Sequence, residues 1–382
     1  MKIVILGNQT RAMVNFWTPL LRRLVADGHD ALCLVPPMEA DDDPLWGTQL
    51  ADLGVRVKHY PLERKGLNPL ADLRTVMALT RILREEKPDR LFSYTIKPVI
   101  YGNMAAALAR QPKRQDRLAM ITGLGYMFEA DTLIKKGLRQ VARLLYRVAL
   151  ECCGGVVFQN NDDWALFEKL SIIPRKLPVH LSRGTGVDTQ RFCLAPAADG
   201  PPVFLYIGRL VEAKGLREFI QAASLVRTKR PDAEFHVLGP AEPGPGAVPL
   251  DDVLAAQAAG VIRYLGESRD VRPHIAGALA VVLPSWREGT PCSLLEAMSC
   301  GRAVVAADAP GSREVVYHED NGLLVPVKHA PSLAQALLRL LDKPETALRM
   351  GERGRQLAED EFSATAVTDF LLGALRVNKS CP

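Results

Sequence analysis

The chain has 382 residues, 48% of them hydrophobic, which is more than one ordinary domain and enough for two substantial cores. Its net charge of +5 is modest for that length, and no zinc-finger spacing, stacking aromatic pair or long basic arm accompanies it, so nucleic acid is a poor partner. The seven cysteines are odd in number and show no two-residue spacing of the zinc or redox kind, which argues against a disulfide framework and implies a reducing cytosol.

In chain order, Met1-Lys-Ile-Val-Ile-Leu6 is expected to be an apolar strand with no secretory leader ahead of it, and a helix is expected over 14–26. Arg11 and Asn15 follow that strand, with Asn15 as an alternative helix cap. The triplet Asp41-Asp42-Asp43 imitates a metal-binding pair but lies in a polar loop, and is read as solvated surface. Arg90 to Tyr94 is a further strand, followed by Lys97 in YTIKP. Arg11, Asn15 and Lys97 are therefore expected at the carboxyl ends of one sheet, where ligands of doubly wound folds bind. The alternative for Lys97 is an exposed turn. IKKGLRQVARLLYRVAL carries Lys135, Lys136, Arg139, Arg143 and Arg147, interleaved with Leu138, Val141, Leu144 and Leu145. It reads as a basic amphipathic helix of the kind that lies on anionic membranes, or as a surface helix with its leucine stripe toward the core. A domain seam is expected near Gly184 to Asp188, with Pro196 to Pro202 as a connection.

Beyond the seam, Val203 to Ile207 is a strand that opens into Gly208-Arg209-Leu-Val-Glu-Ala-Lys214-Gly215 and a helical pattern. Arg209 offers a planar fork of donors and Lys214 a point charge, a pair able to neutralise a diphosphate without a metal. Leu279 to Pro284 is another buried strand, and Thr290-Pro291 reads as N-cap and first helical residue, so the N–H groups of Cys292, Ser293 and Leu294 would face an anion. Glu288 and Gly289 precede that helix start. Glu296 falls in its second turn, where a carboxylate can accept two O–H bonds from a ribose diol. The bland alternative is an ordinary capping pattern with a solvated face.

The segments GRLVEAKG, EGTPCSLLEAMSCG, GSREVV and NGLLVPV resemble, in order and spacing, the donor domain of the large retaining glycosyltransferase family with the paired-glutamate motif, the glycosyltransferase 4-like group. That resemblance implies an α/β chain of GT-B fold, two Rossmann-like doubly wound parallel-sheet domains facing a cleft. It also implies that Arg209 and Lys214 hold the nucleotide diphosphate, that Glu288 touches the transferred sugar and that Glu296 binds the ribose. RAMVNFWTPLLRRL, YTIKPVIYGNMAAALA and ITGLGYMF are similar to the undecaprenyl-diphosphate-sugar α-1,3-N-acetylgalactosaminyltransferases. Much of the wider family carries a His-Gly pair where this chain has Thr122-Gly123, and no histidine is assigned a catalytic role. His29, His180 and His236 lie in a turn and in strand-like runs.

The expected organisation is an acceptor-binding domain over 1–188, a nucleotide-sugar domain over 189–361, and a C-terminal helix in 362–382 packing back on the first domain. Residues 1–190 carry a balance of +7 and the remainder −2, so basicity belongs to the first half. The expected activity is retaining, metal-independent and cofactor-free transfer of a sugar, an N-acetylhexosamine, from a UDP-sugar to an undecaprenyl-diphosphate-linked sugar. Arg11, Asn15, Lys97, Thr122 and Gly123 would face the acceptor, and the basic helix an anionic membrane at the cytoplasmic face. A GT-B enzyme with a soluble acceptor, a nucleotide-sugar epimerase and a non-catalytic subunit of a polysaccharide assembly remain as alternatives.

Overall fold

The computed structural model describes residues 1–39, 44–63, 68–123, 133–196, 200–241, 244 and 246–377, without the side chains of 133–136 and 138. The Asp41–Asp43 triplet therefore lies outside the described residues. The chain divides into two compact units, Met1–Thr185 with Ala364–Pro382, and Gly186–Ser363. Residues 196–202 lie inside the second unit and do not connect the two.

The first unit alternates strand and helix: β1 (Lys2–Leu6), α1 (Thr10–Ala26), β2 (Asp30–Val35), α2 (Leu45–Asp52), β3 (Arg56–His59), α3 (Pro69–Glu86) and β4 (Arg90–Tyr94). It continues with α4 (Ile96–Ala109), β5 (Arg117–Ile121), α5 (Leu133–Glu151), β6 (Gly155–Phe158), α6 (Asn161–Lys169) and β7 (Val179–Leu181). The strands form a parallel sheet in the order β3-β2-β1-β4-β5-β6-β7. A parallel sheet with helices on both faces buries both sides of each strand, which is why β1 is a continuous apolar run. Ile3 and Ile5 face one core with Trp17 of α1, while Val4 and Leu6 face another with helices α3 to α5. Trp17 meets Phe92 edge-on with ring centroids 5.0 Å apart, and truncating such a buried ring costs about 3–5 kcal/mol.

The second unit runs β8 (Val203–Ile207), α7 (Leu216–Arg227), β9 (Glu234–Leu238), α8 (Leu250–Ala258), β10 (Arg263–Tyr264), α9 (Arg272–Ala276) and β11 (Ala280–Leu283). Then follow α10 (Cys292–Ser299), β12 (Ala303–Ala307), β13 (Gly322–Val325), α11 (Ala330–Asp342) and α12 (Pro344–Asp360). Its sheet is parallel in the order β10-β9-β8-β11-β12-β13. The two ends of this unit meet, the Val187 N–H donating to the Phe362 carbonyl at 2.8 Å. The last described helix, α13 (Ala364–Ala374), belongs to the first unit: Val367, Leu371 and Leu372 share a core with Trp17, and Asp369 pairs with Arg23 at 3.0 Å.

In each sheet the strand order reverses once, between β1 and β4 and between β8 and β11. These are the points at which the loops leaving adjacent strands diverge and open a crevice beyond their carboxyl ends.

Candidate active site

At the β8/β11 switch point two loops are pinned together by their backbones. β8 runs through Gly208 and Arg209 into a single 3-10 turn, Glu212–Lys214, before α7 begins. Gly215 holds φ +72°, and a Cβ there would sit 2.1 Å from the Pro284 carbonyl, so only glycine lets α7 start against the end of β11. Trp286 N–H and Ser285 Oγ–H both donate to the Ala213 carbonyl, at 2.8 and 3.0 Å. The Tyr206 hydroxyl donates to the Arg209 carbonyl at 2.9 Å. The result is that Lys214 Nζ lies 2.6 Å from Glu288 Oε1, with side-chain exposures of 24% and 11%. Arg209 is exposed on the same loop.

The helix after Glu288 starts one residue later than the Thr290-Pro291 signal predicts. Pro291, at φ −75° and ψ 102°, occupies the cap position, and α10 begins at Cys292. Proline fits either position because its φ is fixed near −65° in both. Here its carbonyl takes the Leu294 and Leu295 N–H groups at 3.1 and 3.3 Å, and the Pro291 side chain makes no capping hydrogen bond. The Leu294 N–H is thus committed to the Pro291 carbonyl and not to a ligand. Cys292 and Ser293, both half-buried, remain at the N-terminus. Gly289 is buried, and Thr290 is half-buried. The loop is braced from the next strand: Glu288 N–H donates to the Pro310 carbonyl at 2.9 Å, and a Cβ on Gly311 would lie 2.6 Å from the Glu288 carbonyl.

The two glutamates differ in electrostatic state. Glu288 is paired with Lys214. Glu296 is half-buried and accepts no side-chain hydrogen bond from the described residues; burial lifts its carboxyl to about 7, against the pull of Arg191. A carboxylate left without donors in this setting is one that a ligand's hydroxyls can satisfy.

Sequence reasoning missed the support beneath this pair. The Trp286 indole N–H donates to Glu218 Oε1 at 3.3 Å, and the Lys328 ammonium sits 3.8 Å above the Trp286 ring. Trp286 was visible in SWREGT, but its partners come from α7 and from beyond β13, and no local pattern links them.

In the first unit, α1 starts at Thr10, so Arg11 lies in its first turn and Asn15 is an exposed helical residue. Gln9, not Asn15, holds the cap position. Lys97 is neither an exposed turn residue nor a loose cation: it lies in the first turn of α4, 14% exposed, and donates to Asp72 Oδ1 at 3.0 Å and the Glu63 carbonyl at 2.7 Å. Thr122 and Gly123 follow β5, with Gly123 at φ +112°, and residues 124–132 lie outside the described residues.

On α5 the apolar residues do not all face the core. Ala142, Tyr146, Ala149 and Leu150 are buried, whereas Val141, Leu144 and Val148 are 51%, 63% and 40% exposed, at a spacing of one helical face. The alternative of a core-facing stripe therefore fails for Val141 and Leu144. Arg143 is bonded to Gln140, and Arg147 donates to the Ser171 carbonyl at 2.7 Å. Arg139 is half-buried; Lys135 and Lys136 have no described side chains. Among the described residues no group of three or more His, Cys, Asp or Glu forms a metal site, and no helix is long and apolar enough to cross a membrane.

Comparison with known proteins matches residues 12–175 to the glycosyl transferase 4-like domain and residues 201–343 to glycosyl transferases group 1. The chain is 27% identical over 368 residues to N,N'-diacetylbacillosaminyl-diphospho-undecaprenol alpha-1,3-N-acetylgalactosaminyltransferase of Campylobacter jejuni, with 93% of each chain covered. It is 26% identical over 316 residues to UDP-Gal:alpha-D-GlcNAc-diphosphoundecaprenol alpha-1,3-galactosyltransferase of Escherichia coli, covering 77% of each. Among solved structures, sucrose-phosphate synthase of Thermosynechococcus elongatus superposes with a TM-score of 0.78 at 18% identity, covering 98% of both chains. HepE of Anabaena, solved with UDP and glucose, superposes with a TM-score of 0.75 at 18% identity, covering 99% of this chain and 100% of the other. Both likenesses are to two-domain Rossmann-like folds of the GT-B class.

Proposed function

This chain belongs to the group 1, glycosyltransferase 4-like family, and we propose that it moves a sugar from a UDP-sugar to a sugar carried on undecaprenyl diphosphate, with retention of anomeric configuration. The observation that carries this reading is the convergence of Lys214 and Glu288 at 2.6 Å on the β8/β11 switch point, beside the N-terminus of α10. When the glycosyl–phosphate bond breaks, negative charge collects on the departing diphosphate. Lys214, Arg209 and the α10 N-terminus are the groups that balance it, with no metal in the step. Glu288 then orients the transferred sugar, and Glu296 accepts hydrogen bonds from the ribose diol. The acceptor class and the N-acetylhexosamine expectation draw on the names of the Campylobacter and Escherichia relatives, and the uridine nucleotide on the latter and on HepE.

A lipid-linked acceptor requires the first unit to work at a membrane surface, and the exposed Val141, Leu144 and Val148 beside Arg143 and Arg147 on α5 suit that location. Each basic residue near anionic lipid contributes about 1 kcal/mol, screened over about 8 Å at physiological ionic strength. The enzyme should therefore sediment with phosphatidylglycerol vesicles at low salt, less at high salt, and poorly with phosphatidylcholine. Changing Lys135, Lys136, Arg139, Arg143 and Arg147 to glutamine should abolish the difference.

The deciding experiment is a transfer screen of UDP-, GDP- and TDP-sugars against a short-chain polyprenyl-diphosphate sugar, with the new linkage read by NMR and EDTA added in parallel. An α-linked product from a UDP-sugar in the presence of EDTA is expected. Transfer only to free sugars, an inverted linkage, or abolition by EDTA would each overturn the corresponding part of the proposal.

A further inference from the structure

We infer that the second unit carries a small-molecule site at the amino ends of its strands, in which the Arg302 guanidinium and an apolar wall hold a monocarboxylate with a compact aliphatic body. The site is separate from the function proposed above, because the crevice at the carboxyl ends of β8 and β11 takes no part in it.

A cavity of about 370 Å³ opens where β8, β11 and β12 begin, at the opposite end of the sheet from Lys214 and Glu288. That volume lies within the range of small-molecule sites, which are mostly apolar with a few polar groups that fix orientation. Val203 opens β8, Leu279 precedes β11, and Arg302 precedes β12. Leu341 near the end of α11, with Ala347 and Leu348 in the first turns of α12, completes the apolar wall. Leu348 is 51% exposed, so the mouth of the cavity is apolar too.

Arg302 sets what this cavity selects. The residue is only 5% exposed. Its Nε donates to the Ile275 carbonyl at 3.3 Å, and its Nη2 to the Ala276 carbonyl at 2.8 Å and to the Pro196 carbonyl. Those bonds explain why an arginine stands here, since Ile275 and Ala276 close α9 and a basic side chain can bond helix-end carbonyls. They do not use the whole side chain. A guanidinium has five N–H groups, and Nη1 donates to none of the described residues and is not sealed from solvent. The cavity is the open space that Arg302 borders. Carbonyls also carry only partial charge, and burial draws the pKa of this guanidinium down from its ordinary value.

The other charged residues of the wall, Arg230 and Asp232, pair with each other at 2.9 Å, and Arg230 also reaches Asp342 at 3.4 Å. Of the two described cations in the wall, Arg302 is therefore the one that no described carboxylate balances. One open nitrogen suits a single carboxylate, through a charge-assisted hydrogen bond. A diphosphate, which calls for several cations, is a poor fit. The apolar wall adds affinity by burying an aliphatic body.

The test titrates the full-length protein calorimetrically with octanoate, octan-1-ol and acetate, each with and without saturating UDP. Octanoate should bind about tenfold more tightly than octan-1-ol, which keeps the body and loses the charge, and than acetate, which keeps the charge and loses the body. UDP should leave octanoate affinity unchanged. Leu348→Glu, at an exposed position, should weaken octanoate about tenfold while the protein melts about as before, because the new carboxylate either repels the ligand or takes Arg302 itself. Arg302→Met should erase the preference for octanoate over octan-1-ol. That variant also frees three carbonyls, but the comparison of ligands on the unchanged protein and the Leu348→Glu titration do not depend on its folding. Equal affinity for octanoate and octan-1-ol overturns the role of Arg302. Octanoate binding that is indifferent to Leu348→Glu, or displaced by UDP, overturns the cavity as its site, and an absence of octanoate binding overturns the inference whole.

Discussion

At the β8/β11 switch point the chain places formal charges, Lys214 against Glu288 at 2.6 Å with Glu296 in the helix beyond, whereas at β1/β4 it places the buried hydroxyls of Thr10 and Thr95 and ties the nearby Lys97 to Asp72. Both crevices come from the same strand reversal. The difference lies in the charge each presents. A cation paired with a carboxylate puts formal charge where charge grows during a reaction, while helix ends and hydroxyls offer only partial charges.

The sharpest break in this comparison is Lys214→Ala, which should lower turnover roughly 10²–10³-fold without changing the melting temperature, because it removes positive charge where the leaving group develops its own. Steady-state transfer assays alongside thermal unfolding check it; near-normal turnover would reduce the lysine to a structural partner of Glu288. Glu288→Gln should lower kcat about tenfold or more, yet leave UDP affinity equal or tighter, since Lys214 loses its internal competitor. Calorimetry with UDP reads that sign directly.

A smaller effect belongs to Glu296. Its carboxyl sits at about 7 in the unliganded protein, so a diol that bonds the ionised form should bind up to about tenfold more tightly at pH 8 than at pH 6. Glu296→Gln should flatten that dependence. Because the folded value is raised above the ordinary 4.5, this group lowers stability as pH climbs from 4.5 through about 7. The glutamine variant, lacking that loss, should melt higher than the parent at pH 8 and match it below pH 4.5.

The smallest effect is expected away from both crevices. Arg56, Lys58 and Lys2 hold buried Glu86 down to about 2, so its contribution is present above 4.5 and disappears as pH falls toward 2. Glu86→Gln should cost about 1 kcal/mol at neutral pH, remove that acid dependence in pH-resolved melting curves and leave transfer untouched.

How much of this was legible beforehand depended on range. Two strands, Arg90–Tyr94 and Val203–Ile207, could be read to the residue; the second is an unbroken apolar run, as burial on both faces demands, while the first carries a buried Ser93 among its apolar residues. α1 begins four residues before the periodic pattern does, since Thr10 and Arg11 carry no apolar signal and only the chain's exit from β1 sets the start. The α10 start was off by one because proline's fixed φ satisfies two adjacent positions equally. Glu288 and Lys214 were each visible within a motif, but their bond spans 74 residues and was not. Lys97 failed in the opposite way: as a lone cation it suggested a ligand, and only the packing of α3 on α4 reveals its carboxylate. Thr10 and Thr95 carried no signal at all, because an unsatisfied hydroxyl is defined by what surrounds it.

The hydrogen bond between Val187 and Phe362 brings the beginning and end of the second unit to within 2.8 Å. In topological terms that unit is an insertion into the first, entered and left through a single doorway while α13 completes the host. A segment with adjoining ends can be exchanged between relatives as a cassette with little disturbance to its surroundings. The second unit can in this way be replaced as one continuous piece of chain, whereas the first, made of two segments, cannot.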